Sequence, residues 1–176
     1  MYAFIKNVVK VKEAMKENSH RSPAIGTFGD YPIFLCNGTL AYFCNIGPHI
    51  PGILIFKSKE NGHKKIVVND SFQHLPDNIK KAMYYHEVGH DSNKHLELVT
   101  EKGTADYKIK LIGDVILGKG NYLKLEFEAD RYAASVVGVA EMVNALETIK
   151  KALPDYLSKR LITHRIKKVL KYGKET

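Results

Sequence analysis

The chain has 176 residues, 44% of them hydrophobic and 26% charged, a balance that excludes a disordered polypeptide and leaves room for one domain with a real core. No apolar run approaches the roughly 20 residues of a membrane-spanning helix, and Lys6 and Lys10 interrupt the first stretch before a signal-peptide core can form. The net charge is +8, and it is concentrated at one end: nine basic side chains between Lys150 and Lys174 stand against Asp155 and Glu175, leaving the first 149 residues close to neutral.

Along the chain, Phe4, Val8, Val11 and Met15 recur at helical spacing and predict an amphipathic helix over residues 4–17. From Tyr31 to Asp70 the pattern is that of β-structure. Residues 33–36 and 39–43 flank Asn37-Gly38, a dipeptide that accepts the positive φ angles of a tight hairpin turn. Residues 53–56 and 65–68 flank a loop containing Asn61-Gly62. Two hairpins in sequence predict a small, mostly antiparallel sheet of three to five strands, with Pro32, Pro48 and Pro51 at strand ends. Cys36 and Cys44 fit neither a disulfide framework nor a zinc knuckle and are expected to be buried thiols in a reducing compartment.

From Pro76 the period becomes helical. Pro76-Asp77-Asn78 supplies a helix start, and Ile79, Met83, His86 and His90 follow on one face. Residues 107–117 are apolar and fit a strand or a helix equally. Helices are predicted over 125–139 and 141–153, broken near Gly138 and at Pro154, and over 157–171, where Leu161, Ile162, Ile166, Val169 and Leu170 face inward. Strands first and helices after is an α+β arrangement, expected as one domain over residues 1–176. The lysine-rich end reads as a solvated helix face. Its rival reading is a contact with nucleic acid, which composition permits but does not favour.

Inside the helix that follows the sheet stands His86-Glu87-Val88-Gly89-His90, the pattern H-E-x-x-H. Positions four apart lie one turn over each other, so both imidazoles can face one ion. Neutral imidazole suits Zn2+, and two such ligands leave its tetrahedron half filled. Glu87 reaches the same rim without occupying a ligand position and can there accept a proton from water. Gly89 costs a helix roughly 1 kcal/mol relative to alanine, so a purely structural helix would not favour it; a small residue lets a neighbour approach closely behind the site.

The motif requires a third ligand. The metzincin spacing fails, because Asn93 and Leu96 occupy its glycine and histidine positions and His95 is off by one. Gly103-Thr104-Ala105-Asp106 is one residue short of the aspzincin pattern, which leaves Asp106 as an alternative ligand. In Glu126-Phe127-Glu128-Ala129-Asp130-Arg131-Tyr132-Ala133, Glu126 and Asp130 share a helical face and Glu128 points roughly the opposite way. One of the pair can bind the ion while the other holds a ligand imidazole from behind.

H-E-x-x-H followed by E-x-E-A-D-R-Y-A resembles the gluzincin metallopeptidases of the M48 type over about half the chain, residues 79–165. The chain is also similar in size to the shorter ImmA-like peptidases. The resemblance implies a zincin-like α+β fold and zinc ligands His86, His90 and Glu126. It also implies Glu87 as the catalytic base and Asp130 as support for a ligand histidine, most directly His86. The family often carries His-Pro before a later Arg-Ile; here Arg165-Ile166 fits the second part, while Lys159 and Arg160 stand where the first would be. The donor to the transition state is therefore sought among Lys159, His164 and Arg165, and His95 is a candidate substrate contact.

The expected function is that of a soluble, cytoplasmic, zinc-dependent endopeptidase acting on peptide or protein substrates, with no membrane partner. A strand over 65–69 or 53–56 could pair with an extended substrate. The rival readings are a regulatory zinc protein that contacts a repressor or nucleic acid with little turnover, and a zinc-stabilised structural domain.

Overall fold

A computed structural model describes residues 23–35, 50–57, 62–95, 121–154 and 156–175, and the chain divides into two units, residues 1–76 and 77–176. The expected helix over 4–17, the Asn37-Gly38 hairpin, both cysteines, Asp106 and the segment 107–117 lie outside the described residues.

In the first unit, four short strands form one mixed sheet in the order β1-β2-β4-β3: β1 (Gly26–Phe28), β2 (Tyr31–Leu35), β3 (Ile53–Lys57) and β4 (Lys64–Val68). Two pairings are antiparallel, β1 with β2 and β3 with β4, and β2 runs parallel to β4. The expected pairing of residues 53–56 with 65–68 is β3–β4, and Gly62, between the two strands, has a positive φ of 69°. The β1 strand was not expected; it joins β2 through the two-residue turn Gly29-Asp30, with Gly29 at φ 56°.

Register builds the core of this unit. Ile33, Ile66 and Ile55 lie side by side across three strands, as do Leu35, Val68 and Ile53, and all but Leu35 are buried. The opposite face carries Phe34, Val67 and Leu54, of which only Val67 is fully buried. Ile66, Val67 and Val68 are buried in succession in β4, which has a strand on either side and, around Val67, the side chains of Phe34 and Leu54. Its backbone is therefore taken, which removes residues 65–69 as a docking strand for substrate; among the described strands, β3 lies at an edge.

Asn69 closes the sheet. Its Oδ1 accepts from Gly52 N and from Phe72 N, both at 2.9 Å, and its Nδ2 donates to the Ile50 carbonyl at 2.7 Å. One buried amide thus caps the short helix α1 (Asp70–Gln73) and ties it to the start of β3.

The second unit is helical: α2 (Asp77–Ser92), α3 (Asn121–Val137), α4 (Val139–Ala152) and α5 (Tyr156–Glu175). Helix α2 packs on α3 and α4, and α5 packs on α4 and α3. The break between α3 and α4 falls at Gly138, whose φ of 94° few side chains tolerate. Ile79, Met83, Leu123, Met142, Leu146, Ile162, Ile166 and Val169 fill the core, with Ala129, Ala133 and Ala145 where helices come close. On α5, Leu170 departs from the expected inward stripe and is exposed. Lys167, Lys168, Lys171 and Lys174 are also exposed, along a helix face turned to solvent.

Gly89 marks a crossing where backbone meets backbone. A Cβ there would stand 2.9 Å from the Ala129 Cα, 3.0 Å from its carbonyl oxygen and 3.1 Å from the Tyr132 Cβ. The helix-propensity cost of this glycine is offset by the approach it allows. It brings the backbone of α3 against α2 within the H-E-x-x-H turn, and so sets Glu126 and Asp130 beside the histidines.

Candidate metal centre

The second unit gathers His86, Glu87, Glu126 and Asp130 into its interior, all buried, with His90 partly so. His86 and His90 stand one turn apart on α2, with their Nε2 atoms 3.1 Å apart and their rings edge to face. From α3, Glu126 places Oε2 3.5 Å from His86 Nε2 and Oε1 3.4 Å from His90 Nε2. His86, Glu87 and His90 also offer ligand atoms that all lie within 4.8 Å of one another.

Behind His86, Nδ1 lies 2.8 Å from Asp130 Oδ1. Asp130 is wholly buried and is gripped from α5 by Arg165, whose Nε donates to Oδ2 at 2.8 Å and whose Nη2 donates to Oδ1 at 2.6 Å. The third guanidinium nitrogen, Nη1, lies 2.8 Å from Glu126 Oε2. One arginine therefore holds both carboxylates, and a buried charge-assisted fork fixes direction as well as distance.

This geometry moves the titrations in a consistent direction. Burial alone would push both acids up, but the Arg165 charge and the bonds from His86 outweigh it, so Asp130 lies below the usual carboxylate range and Glu126 well below it. Burial disfavours charge on His86 as well, yet its bonds to Asp130 and Glu126 prevail and push it up to about 9. Two carboxylates and two imidazole nitrogens crowd one point with a single guanidinium among them, an arrangement that attracts a proton or a cation.

His95 and Glu128 form a second group beside the first. His95 is buried, with Nδ1 3.0 Å from His90 Nδ1 and Nε2 2.9 Å from Glu128 Oε2. Burial lowers the His95 pKa despite the bond to Glu128.

Several positions differ from the expectations of sequence. His95 sits beside His90 in the interior, 3% exposed. Arg165, expected as a donor to substrate, is committed to Asp130 and Glu126. His164 faces solvent, with its ring against Phe127 at a centroid distance of 5.4 Å. Lys159 is half-buried, and its carbonyl accepts from the Thr163 hydroxyl. Glu128 does point away from Glu126, but it reaches the site through His95. Its role had no sequence signal beyond the presence of His95 five residues after His90.

The chain is thus α+β, with a helical unit that carries a His–Glu–His cluster able to hold a metal ion. Comparison with protein-family models, with curated proteins and with solved structures gives no match. Whether the donors fit a metal is decided by their own spacing. Ligands about 2.0–2.1 Å from a tetrahedral zinc stand roughly 3.3–3.4 Å from one another. The two histidine Nε2 atoms, 3.1 Å apart, are near that spacing, and the Glu126 carboxylate reaches one with each oxygen, Oε2 to His86 at 3.5 Å and Oε1 to His90 at 3.4 Å. Nitrogen and carboxylate donors in this ratio suit zinc.

Proposed function

We propose that the chain is a zinc-dependent endopeptidase of gluzincin type with a zincin-like fold, in which His86, His90 and Glu126 are ligands and Glu87 is the base. The observation that carries this reading is the meeting of two histidine Nε2 atoms 3.1 Å apart with a buried carboxylate, Glu126, that faces both, next to Glu87, a second buried carboxylate that follows the first histidine on the same helix. Three protein ligands leave a fourth position for water or substrate, the arrangement of catalytic rather than structural zinc.

The chemistry such an ion supplies is Lewis acidity, toward a carbonyl oxygen and toward water. Glu87 takes the proton of the attacking water and returns it to the leaving amine. Asp130 accepts a hydrogen bond from the Nδ1–H of His86, which leaves the Nε2 of the neutral ring to face His90 and Glu126 as a ligand atom. Arg165 balances the charge of Glu126 and Asp130 and keeps both carboxylates in place when a ligand changes at the site.

The test combines metal analysis of the purified chain with cleavage of an unfolded protein. The wild-type chain is expected to carry one zinc and to cleave. Glu87→Gln should keep the zinc and lose cleavage by at least about 100-fold, the usual scale of a lost general base. Zinc without cleavage in the wild-type chain would favour the regulatory reading, and full cleavage by Glu87→Gln would overturn the assignment of the base.

A further inference from the structure

We propose that Glu128 and His95 form a relay that fixes the orientation and tautomer of His90, so that its Nε2 lone pair is free to bind a metal. The proposal rests on the reading of His90 as a ligand and goes beyond it, since H-E-x-x-H and E-x-x-x-D include neither His95 nor Glu128.

The sense of the relay follows from the chemistry of its ends. A carboxylate only accepts, so the 2.9 Å contact between Glu128 Oε2 and His95 Nε2 places the proton on that nitrogen. A neutral imidazole protonated at Nε2 has an acceptor at Nδ1. The 3.0 Å contact between His95 Nδ1 and His90 Nδ1 then requires the proton to be on His90. With Nδ1 protonated, neutral His90 has its one remaining lone pair at Nε2, the atom that faces His86 Nε2 and Glu126. The opposite sense would put a proton on His90 Nε2 and remove it as a ligand.

The backbone is bent to make this contact. After α2 ends, Asn93 N donates to the Gly89 carbonyl, with the Asn93 side chain on the same oxygen at 2.8 Å, and Lys94 N donates to Asp91. Lys94 has a φ of 58°, the left-handed conformation that glycine adopts readily and lysine does not. That reversal returns His95 to the interior, five residues after His90 and beside it, with the rings 5.2 Å apart. A polar side chain is thereby buried at some conformational cost, and each of its nitrogens meets a partner.

The experiment uses the full chain and two readouts. Long-range nitrogen NMR of the metal-free protein reports the His90 tautomer, and competition with a chelator reports zinc affinity. The wild-type His90 should carry its proton on Nδ1. His95→Phe, which keeps a ring but no acceptor, should shift His90 toward the Nε2-protonated form and weaken zinc binding by about 10–100-fold, as losses behind a ligand usually do. Glu128→Ala should move both readouts in the same direction by less, and Glu128→Gln, whose amide oxygen still accepts, should restore them. Glu128 is on a half-exposed surface, so its pair of variants carries the test should His95→Phe fail to fold. An unchanged His90 tautomer, with zinc affinity within twofold of wild type in both His95→Phe and Glu128→Ala, overturns the relay. A tautomer shift in a chain that binds no zinc sustains the relay and removes the metalloenzyme reading, so the two failures are distinguishable.

Discussion

The two histidines of α2 are one turn apart and are held in contrasting ways. His86 meets a carboxylate directly: Asp130 is wholly buried and clamped by Arg165, so one point joins charges from α3 and α5 to a ring on α2. His90 meets a neutral ring, and only beyond it the half-exposed Glu128. The first support is dry and ionic, and the second is relayed and ends at the surface. A desolvated charge that loses its partner has no water to replace it, whereas a surface carboxylate does. Damage to the His86 side should therefore be felt by the whole helical unit, and damage to the His90 side by the site alone.

The sharpest way to break this contrast is to delete each carboxylate in turn. Asp130→Ala leaves Arg165 buried with Glu126 as its remaining partner among these groups and should cost about 3–5 kcal/mol of stability. Glu128→Ala should cost less than about 1 kcal/mol. Denaturant unfolding of metal-free protein measures both, and equal losses would show that depth does not separate the two supports.

The pH dependence of metal binding probes the His86 side next. Its folded pKa is raised from 6.5 to about 9, so the stability this charge contributes to the metal-free fold is fully present below 6.5 and is lost as pH rises through 9. Zinc requires the neutral ring, so binding expels the proton that Asp130 and Glu126 retain on it. Zinc affinity should rise about tenfold per pH unit from the ordinary histidine range toward 9 and then level. Proton release measured by calorimetry in buffers of different ionisation enthalpy checks this. No release across that interval would mean that His86 is already neutral.

The crossing that brings both supports to α2 can be loosened separately. Gly89→Ala drives a methyl to within 2.9 Å of the Ala129 backbone, and backbone yields less readily than a flexible side chain. A loss of about 1–3 kcal/mol is expected in thermal or denaturant melts, the scale of an overpacked core, even though alanine is the better helix former. A more stable Gly89→Ala would show that α3 can retreat from α2 at no cost.

How far sequence carried is clear from the same residues. Helix α2 and the pairing of Glu126 with Asp130 were legible because a period of 3.6 residues places them without knowledge of the partner. The β3–β4 hairpin was legible because the Asn-Gly signal between its strands is local. The parallel pairing of β2 with β4 was not, since strand order is set by packing outside both strands. Strand β1 carries a local signal as well, the two-residue turn Gly29-Asp30. Arg165 was singled out by its Arg-Ile context, but its partners depend on where α5 crosses α3. Glu128 lies about 200° round α3 from Glu126. On the helix alone it belongs to the other face, and it joins the site only because the chain after α2 doubles back and carries His95 there.

That reversal gives the smallest expected effect, and one that separates strain from chemistry. Lys94 is exposed and the only non-glycine residue at positive φ among the described residues, so its side chain contributes little to offset its backbone energy. Lys94→Gly removes the steric conflict between Cβ and carbonyl, worth about 1 kcal/mol, but it also frees the unfolded chain, which returns part of that gain. A net stabilisation of a few tenths of a kcal/mol is expected. Zinc affinity and the His90 tautomer should stay at their wild-type values, because His95 returns to the same place. Lys94→Val, whose branched Cβ tolerates this φ least, should lower both stability and zinc affinity. Melts and chelator competition on the two variants distinguish the cases. If Lys94→Gly weakened zinc binding as much as His95→Phe does, the left-handed turn would be contributing through the lysine itself, and the backbone would not be what holds His95 against His90.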